Sequence, residues 1–212
     1  MRTVLVTGFE PFGGESINPS LEAVKKLSDS PWQQVRVVSC SVPVVRYQSA
    51  QVVIEAIEHH QPDVVIMLGQ AAGRHAITPE RIAINLDDFR IADNAGNQPV
   101  DQAIDAAGPA AYFSTLPVKA ITKTLQDAGI PCQISHSAGT YVCNHLFYSV
   151  QRYLEQRAIR SGFVHIPLLT QQAVLGQQPS MSLETIVHGL KLAILASLEH
   201  PNDIALAGGT IC

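Results

Sequence analysis

The chain has 212 residues, 46% of them apolar, and a formal charge of -4. That is ample material for one buried core, and a single α/β domain over residues 1–212 is the expectation. Its acids and bases are scattered, with no Lys/Arg block and no acidic tail, which argues against a nucleic-acid partner.

The opening stretch MRTVLVTGFEPFGG is interrupted by Gly8 and Pro11, too early for a signal peptide. Near the other end, Leu190 to Leu198 is about half a membrane span and contains Lys191. Both readings point to a cytoplasmic protein that does not engage a membrane. The four cysteines, Cys40, Cys132, Cys143 and Cys212, form no CxxC pair in a chain large enough to need no staples, so neither disulfides nor structural zinc are expected. Cys40 and Cys132 lie in strand-like runs, where a thiol serves as a small hydrophobe. Cys212, the last residue, has no local context.

In chain order, Thr3 to Phe9 reads as a buried strand. A helix follows over Asn18 to Ser28, with Asn18 as cap and Pro19 as first helical residue. The run Gln34 to Val44 predicts a strand, Tyr47 to His60 a helix, and Asp63 to Gly69 another strand. The polar stretch Thr78 to Asp105 predicts strands joined by long loops. A helix over Val118 to Ala128 leads to a strand at Pro131 to Ser135, and a further helix spans Cys143 to Arg160. The strand Gly162 to Pro167 then passes through a Gln-rich loop into a last helix, Ser182 to His200. Repeated β-then-α units with hydrophobic, non-alternating strands predict an α/β fold, a three-layer α/β/α sandwich around a twisted, mostly parallel or mixed sheet.

Ligands of such sheets sit where strand ends lead into helix starts. Four such junctions carry unusual residues: GFEPFGGESINP, GQAAGRHAITPERIAIN, SAGTYVCNH and HIPLLTQQ. In the third, Cys143 falls at the first turn of a helix, whose free N–H groups and positive dipole end favour a thiolate. Gly139 can supply the tight turn before it. The plainer alternative is a buried helix-start cysteine. His165, at the end of its strand, can face the same crevice and take a proton, or can be an ordinary strand-end histidine. His59, His60 and His200 end helices; His188 reads as a helix-face residue; His75 and His136 are ambiguous. His145, two positions past Cys143, points to a different helix face and is not expected to be its partner. A Cys–His pair needs an acid to orient the imidazole, and Glu80, Asp87, Asp88, Asp93 and Asp101 all compete for that role on spacing alone.

The glycine-rich TGFEPFGGE fits neither the dinucleotide fingerprint nor a phosphate loop, since Pro11 removes an N–H and Glu15 stands where a lysine belongs. Two phenylalanines on a Pro-Gly turn suit instead an apolar wall for a flat small ligand, or a loop folded over the core. Cys143-x-His145 lacks the further ligands that a metal needs, so no metal and no cofactor are expected.

Taken together, VTGFEPFGGESINPS, GQAAGRHAITPERIAIN, ISHSAGTYVCN and FVHIP resemble the pyroglutamyl peptidase I (pyrrolidone-carboxylate peptidase) family, cysteine peptidases that remove an N-terminal pyroglutamate. The resemblance spans most of the chain. It implies Cys143 as nucleophile, His165 as general base and acid, and Glu80 as the group that orients His165. It further implies that Phe9 and Phe12 sandwich the lactam ring, that Tyr141 and Val142 line the pocket, and that Asn18 and Gln70 bond the ring's amide and carbonyl. Arg90 would lie near the oxyanion site. The departures, Ala92 and the neighbourhood of Thr170 where prolines are expected, touch loop stiffness. Peptides bearing pyroglutamate are the implied partners, and a homo-oligomer, dimer or tetramer, the implied assembly. An uncharged aromatic pocket suits a cyclised N-terminus, which has no ammonium to hold. Two rivals are a nucleoside phosphorylase-like enzyme, which would need a phosphate site the glycine loop does not offer, and a non-catalytic small-molecule binder.

Overall fold

The computed structural model describes residues 1–174 and 176–210; Cys212 lies outside the described residues. In chain order the elements are β1 (Arg2–Phe9), α1 (Pro19–Ser28), β2 (Val35–Val42), α2 (Gln48–His60), β3 (Val64–Gln70), β4 (Thr78–Pro79), β5 (Ile82–Ile84), β6 (Ala111–Phe113), α3 (Val118–Asp127), α4 (Val142–Leu154), β7 (Arg160–Ile166), β8 (Leu168–Leu169), β9 (Ser180–Met181) and α5 (Leu183–Glu199).

The central sheet has the order β2-β1-β3-β7-β4. Its first four strands are parallel, and β4 joins the edge antiparallel to β7. The central strands β1 and β3 are near-continuous apolar runs because both faces are covered, whereas the edge strand β2 exposes Arg36, Ser39 and Ser41. Val4, Val6, Ile66, Leu68, Val164 and Ile166 face α1, α3 and α5; Leu5, Val65, Met67 and Phe163 face α2 and α4. The three-layer α/β/α sandwich with a mostly parallel sheet is therefore present. Among the described residues no helix is long and apolar enough to cross a membrane.

Helix α1 starts where capping chemistry predicts: Asn18 Oδ1 accepts from Ser20 N at 3.0 Å and Pro19 opens the helix. Three predicted boundaries move. The helix expected to reach Arg160 ends at Leu154: residues 155–158 are exposed, and Arg160 of β7 already pairs with Val64 of β3. Helix α2 begins at Gln48, after Tyr47 at φ 60°. The strand expected at Pro131 to Ser135 does not join the sheet. It runs beside residues 77–81 through isolated bridges, Ile77 with Cys132 and Glu80 with Ser135. Cys132 packs as a hydrophobe in the core, and Cys40 is half-buried.

The chain passes from β1 to β2 on one side and returns across β1 to β3 on the other. The crevice at the carboxyl ends of β1 and β3 is thus the switch point of the sheet, where doubly wound folds bind ligands. Gly8 lets α1 press against this end: a Cβ there would lie 2.5 Å from Ser20 O and 2.9 Å from Leu21 Cα. Those are backbone atoms, so the helix would have to move away. Gly8→Ala is expected to destabilise the protein toward the upper end of the roughly 1–3 kcal/mol that overpacking costs, read as a lowered urea midpoint at unchanged slope.

Candidate active site

Neighbouring residues of parallel strands share a face, and every second residue returns to it. Gly69 in β3 pairs with His165 in β7, and Phe163 lies two residues earlier on the same face, its ring centroid 4.8 Å from that of His165. Gly69 leaves a vacancy there that Cys143 fills. A Cβ on Gly69 would stand 3.0 Å from Cys143 Sγ and 2.7 Å from Phe163 Cζ. The missing side chain is thus what lets a sulfur on α4 rest against the sheet next to the strand position that carries His165.

At the sheet edge, β4 sets Thr78 opposite His165, and Glu80 N donates to Phe163 O at 2.8 Å. This brings the wholly buried Glu80 carboxylate to the imidazole: His165 Nδ1 lies 2.7 Å from Glu80 Oε1. Arg74 meets the same oxygen at 2.7 Å through Nη1, which also reaches Thr78 Oγ1 at 2.5 Å; Arg74 Nη2 donates to Ser137 O at 3.4 Å. Burial works to raise the Glu80 carboxyl, but the hydrogen bond and charge of His165, with Ser135 and Arg74, hold it below the usual carboxylate range. Burial lowers His165, the Glu80 contact works against it, and Arg74 adds to the lowering, so the imidazole is neutral at pH 7. With Glu80 ionised, Nδ1 carries the proton and Nε2 is left as the basic nitrogen.

Cys143 is the second residue of α4, and Gly139 turns the chain before it at φ 81°. No side chain caps this helix, and His145 is the first residue whose N–H returns into it, to Tyr141 O at 3.1 Å. The N–H groups of Val142, Cys143 and Asn144 thus precede the helical ladder. Against the expectation from the helix start, the resting thiol is pushed up to about 12, chiefly by burial and then by the Glu80 charge. Loss of water outweighs the Arg74 charge and the backbone hydrogen bond that favour the anion, so the resting sulfur is a thiol.

Beside the sulfur is a small, narrow cavity lined by Phe9, Phe12, Asn18, Val44, Gln70, Tyr141, Val142 and Cys143. Phe12 faces Tyr141 with ring centroids 6.0 Å apart, while Phe9 leans on Phe163 at 6.4 Å. Six of the seven residues expected to bind substrate are here. Arg90 is exposed and outside this lining, its carbonyl accepting from Gln98 Nε2 at 3.2 Å.

The other acids are placed elsewhere. Asp88 and Asp101 are exposed. Asp93 ties a loop, accepting from the backbone N–H groups of Arg46, Ala95 and Asn97. Asp87 is buried against a different histidine: its Oδ2 lies 2.8 Å from His145 Nδ1 and 2.7 Å from Arg46 Nε. His145 Nε2 accepts from Tyr47 N at 3.0 Å, so its proton sits on Nδ1 and this pair is closed off from Cys143. His145, not expected to partner Cys143, pairs with Asp87, a contact without a sequence signal because the two are 58 positions apart. Arg74 and Asn144 were also missed. Asn144 accepts from Ile84 N at 3.0 Å and donates to Ile84 O and Leu86 O, pinning the start of α4 to the segment after Glu80. Among the described residues no group of three or more His, Cys, Asp or Glu is placed to hold a metal ion.

The sequence profile described as pyroglutamyl peptidase matches residues 2–200. A pyrrolidone-carboxylate peptidase of Vibrio vulnificus is 68% identical over 212 residues, covering all of both chains. The crystal structure of pyroglutamyl peptidase I from Bacillus amyloliquefaciens superposes with a TM-score of 0.94 at 48% identity, over 97% of this chain and 99% of that one. A pyrrolidone carboxyl peptidase from Thermococcus litoralis does so at 0.93 and 40%, over 98% and 100%. A profile match over nearly the whole chain and relatives of equal length place the site in a known context: the chain belongs to the pyroglutamyl peptidase family.

Proposed function

We propose that this chain is a cysteine peptidase that removes the N-terminal pyroglutamyl residue from peptides, with Cys143 as nucleophile, His165 as general base and acid, and Glu80 as the group that orients His165. The observation that carries the reading is the 2.7 Å contact of Glu80 with His165 Nδ1, made on the sheet face where Gly69 admits the Cys143 sulfur. Residues 1–212 act as one catalytic domain. Family membership supports peptide substrates, a cytoplasmic location and a homo-oligomer, dimer or tetramer.

The cavity is walled by Phe9, Phe12, Tyr141 and Val142 and offers no carboxylate among its lining residues. An α-ammonium buried there would lose its water without gaining a counter-charge, whereas a lactam is neutral. With the ring seated, the Cys143 thiol gives its proton to His165 Nε2 as its sulfur forms a bond to the pyroglutamyl carbonyl carbon. The N–H groups at the start of α4 receive the oxyanion. The C–N bond then breaks, and His165 returns the proton to the departing amine. Water attacks the thioester, giving a proton to His165; pyroglutamate leaves as the sulfur is reprotonated. Because burial pushes the free thiol up to about 12, this reading has His165 take the proton in the attack itself. Arg74 is a positioning residue in this reading, holding the carboxylate oxygen that His165 also uses.

Cys143→Ser is expected to fold normally and to lower turnover of a chromogenic pyroglutamyl amide by orders of magnitude; near-normal turnover removes Cys143 from the reaction. A glutaminyl amide, open-chain and charged, is expected to be turned over at least about a hundredfold more slowly than the pyroglutamyl one, reflecting the cost of an unpaired buried charge; comparable rates refute the neutral-ring reading.

Activity requires neutral His165, whose pKa is lowered, so the acid limb of kcat/KM falls below the ordinary value of 6.5. Arg74 contributes to that lowering, so Arg74→Gln moves the limb to higher pH. The Glu80 contact opposes it, so Glu80→Gln moves the limb to lower pH while also reducing the rate. Shifts in the same direction, measured from pH–rate profiles, would show that the limb reports another group.

A further inference from the structure

Gln70 closes β3 at the rim of the cavity, and its side-chain oxygen accepts a hydrogen bond from Gln172 Nε2 at 3.2 Å. Gln172 stands in the short 3-10 turn Thr170–Gln172 beyond β7, and its own Oε1 accepts from Leu169 N at 3.0 Å. A backbone N–H can only donate. Leu169 therefore fixes which end of the Gln172 amide is oxygen, and the other end, an NH2, faces Gln70. Gln70 in turn must offer its oxygen to Gln172, which leaves its own NH2 as the group presented to the cavity.

Asn18 is fixed by the same logic from the other side. Phe9 N donates to Ser20 Oγ at 2.9 Å, so the Ser20 hydroxyl hydrogen goes to Asn18 Oδ1 at 2.8 Å, which also accepts from Ser20 N. Asn18 Nδ2 spends one hydrogen on Glu10 O at 3.0 Å and has a second to give. Each chain of bonds begins at a backbone N–H, and each ends in an amide whose oxygen is engaged and whose NH2 has a hydrogen to spare.

We propose that Gln172 is a specificity-positioning residue that holds the Gln70 amide so that it and Asn18 both meet the ring carbonyl of the substrate with N–H donors. This rests on the functional reading above and revises one part of it. The resemblance shares the two side chains between the ring's amide and carbonyl, whereas the fixed amides read an acceptor twice and leave the lactam N–H to a backbone carbonyl. A five-membered ring without the carbonyl offers them nothing.

Gln172→Glu separates this role from mere packing. A carboxylate still accepts from Leu169 N but cannot donate to Gln70, so Gln70 turns its NH2 outward and puts its oxygen against the ring carbonyl. Steady-state kinetics with a chromogenic pyroglutamyl amide are expected to show kcat/KM reduced about tenfold or more, carried by KM, the scale of one hydrogen bond converted to a repulsive contact. Competitive inhibition by 2-pyrrolidone, the bare ring, weakens by a similar factor. Gln172→Met, which removes both bonds without dictating the wrong orientation, loses only a few-fold, at a melting temperature close to that of the unaltered protein. In a Gln70→Met background, Gln172→Glu adds less than about twofold, because the group it misorients is gone. The inference is overturned if Gln172→Glu stays within twofold of the unaltered protein, if its loss persists undiminished in Gln70→Met, or if Gln172→Met is the more damaging change. Failure of the unaltered protein to cleave the pyroglutamyl amide would instead overturn the functional reading itself.

Discussion

A wholly buried carboxylate organises this site. Glu80 has no exposed surface, and an ionised carboxyl without partners in such a place would lose its hydration for nothing, a cost of tens of kcal/mol in the dry limit that proteins avoid by pairing or protonation. Glu80 is paired with His165 and Arg74 through a single oxygen, and its other oxygen, Oε2, has no hydrogen-bond partner among the described residues. With His165 neutral, Arg74 supplies the counter-charge, and losing its guanidinium leaves a buried charge held only by a hydrogen bond, which for such pairs costs about 3–5 kcal/mol. This ties the turn holding Arg74, the edge strand holding Thr78 and Glu80, and the last sheet strand into one unit. The same electrostatic need therefore keeps the imidazole in one tautomer and one orientation.

A second buried acid–histidine pair lies behind the helix that carries the sulfur. Asp87 and His145, joined by Arg46, repeat the chemistry of Glu80, His165 and Arg74, with a different outcome. Both nitrogens of His145 are occupied, one by Asp87 and the other by Tyr47 N, whereas His165 keeps one nitrogen free. The two histidines thus differ by one backbone N–H. Asp87 and Asn144 together hold α4 to the segment after Glu80, and the Asp93 loop, through Asn94 donating to Pro11 O at 3.0 Å, reaches the phenylalanine turn of the cavity.

Burial has opposing effects on the sulfur and its pocket. Excluding water makes the cavity suitable for an uncharged ring and strengthens the bonds of the orienting amides. It also holds Cys143 as a thiol.

Sequence alone determined the α/β class, the identity of most strands and helices, the cap of α1, and the four junctions that hold chemistry, because hydrophobic period, capping residues and turn glycines act over a few positions. Resemblance added the roles of Cys143, His165 and Glu80. It could not be read from spacing which of five acids meets His165, nor that Asp87 serves His145, because a choice between acids 85 and 58 positions from their histidines is made by strand register and helix packing. The Pro131 to Ser135 run looked like a strand since its residues favour extended backbone; only the packed sheet decided that it would run alongside residues 77–81 through isolated bridges. The helix start promised a thiolate, and burial, a property of the assembled chain, decided for the thiol. Short-range pattern fixes what each segment is; the tertiary structure fixes which groups lose their water together, and that loss sets their charges.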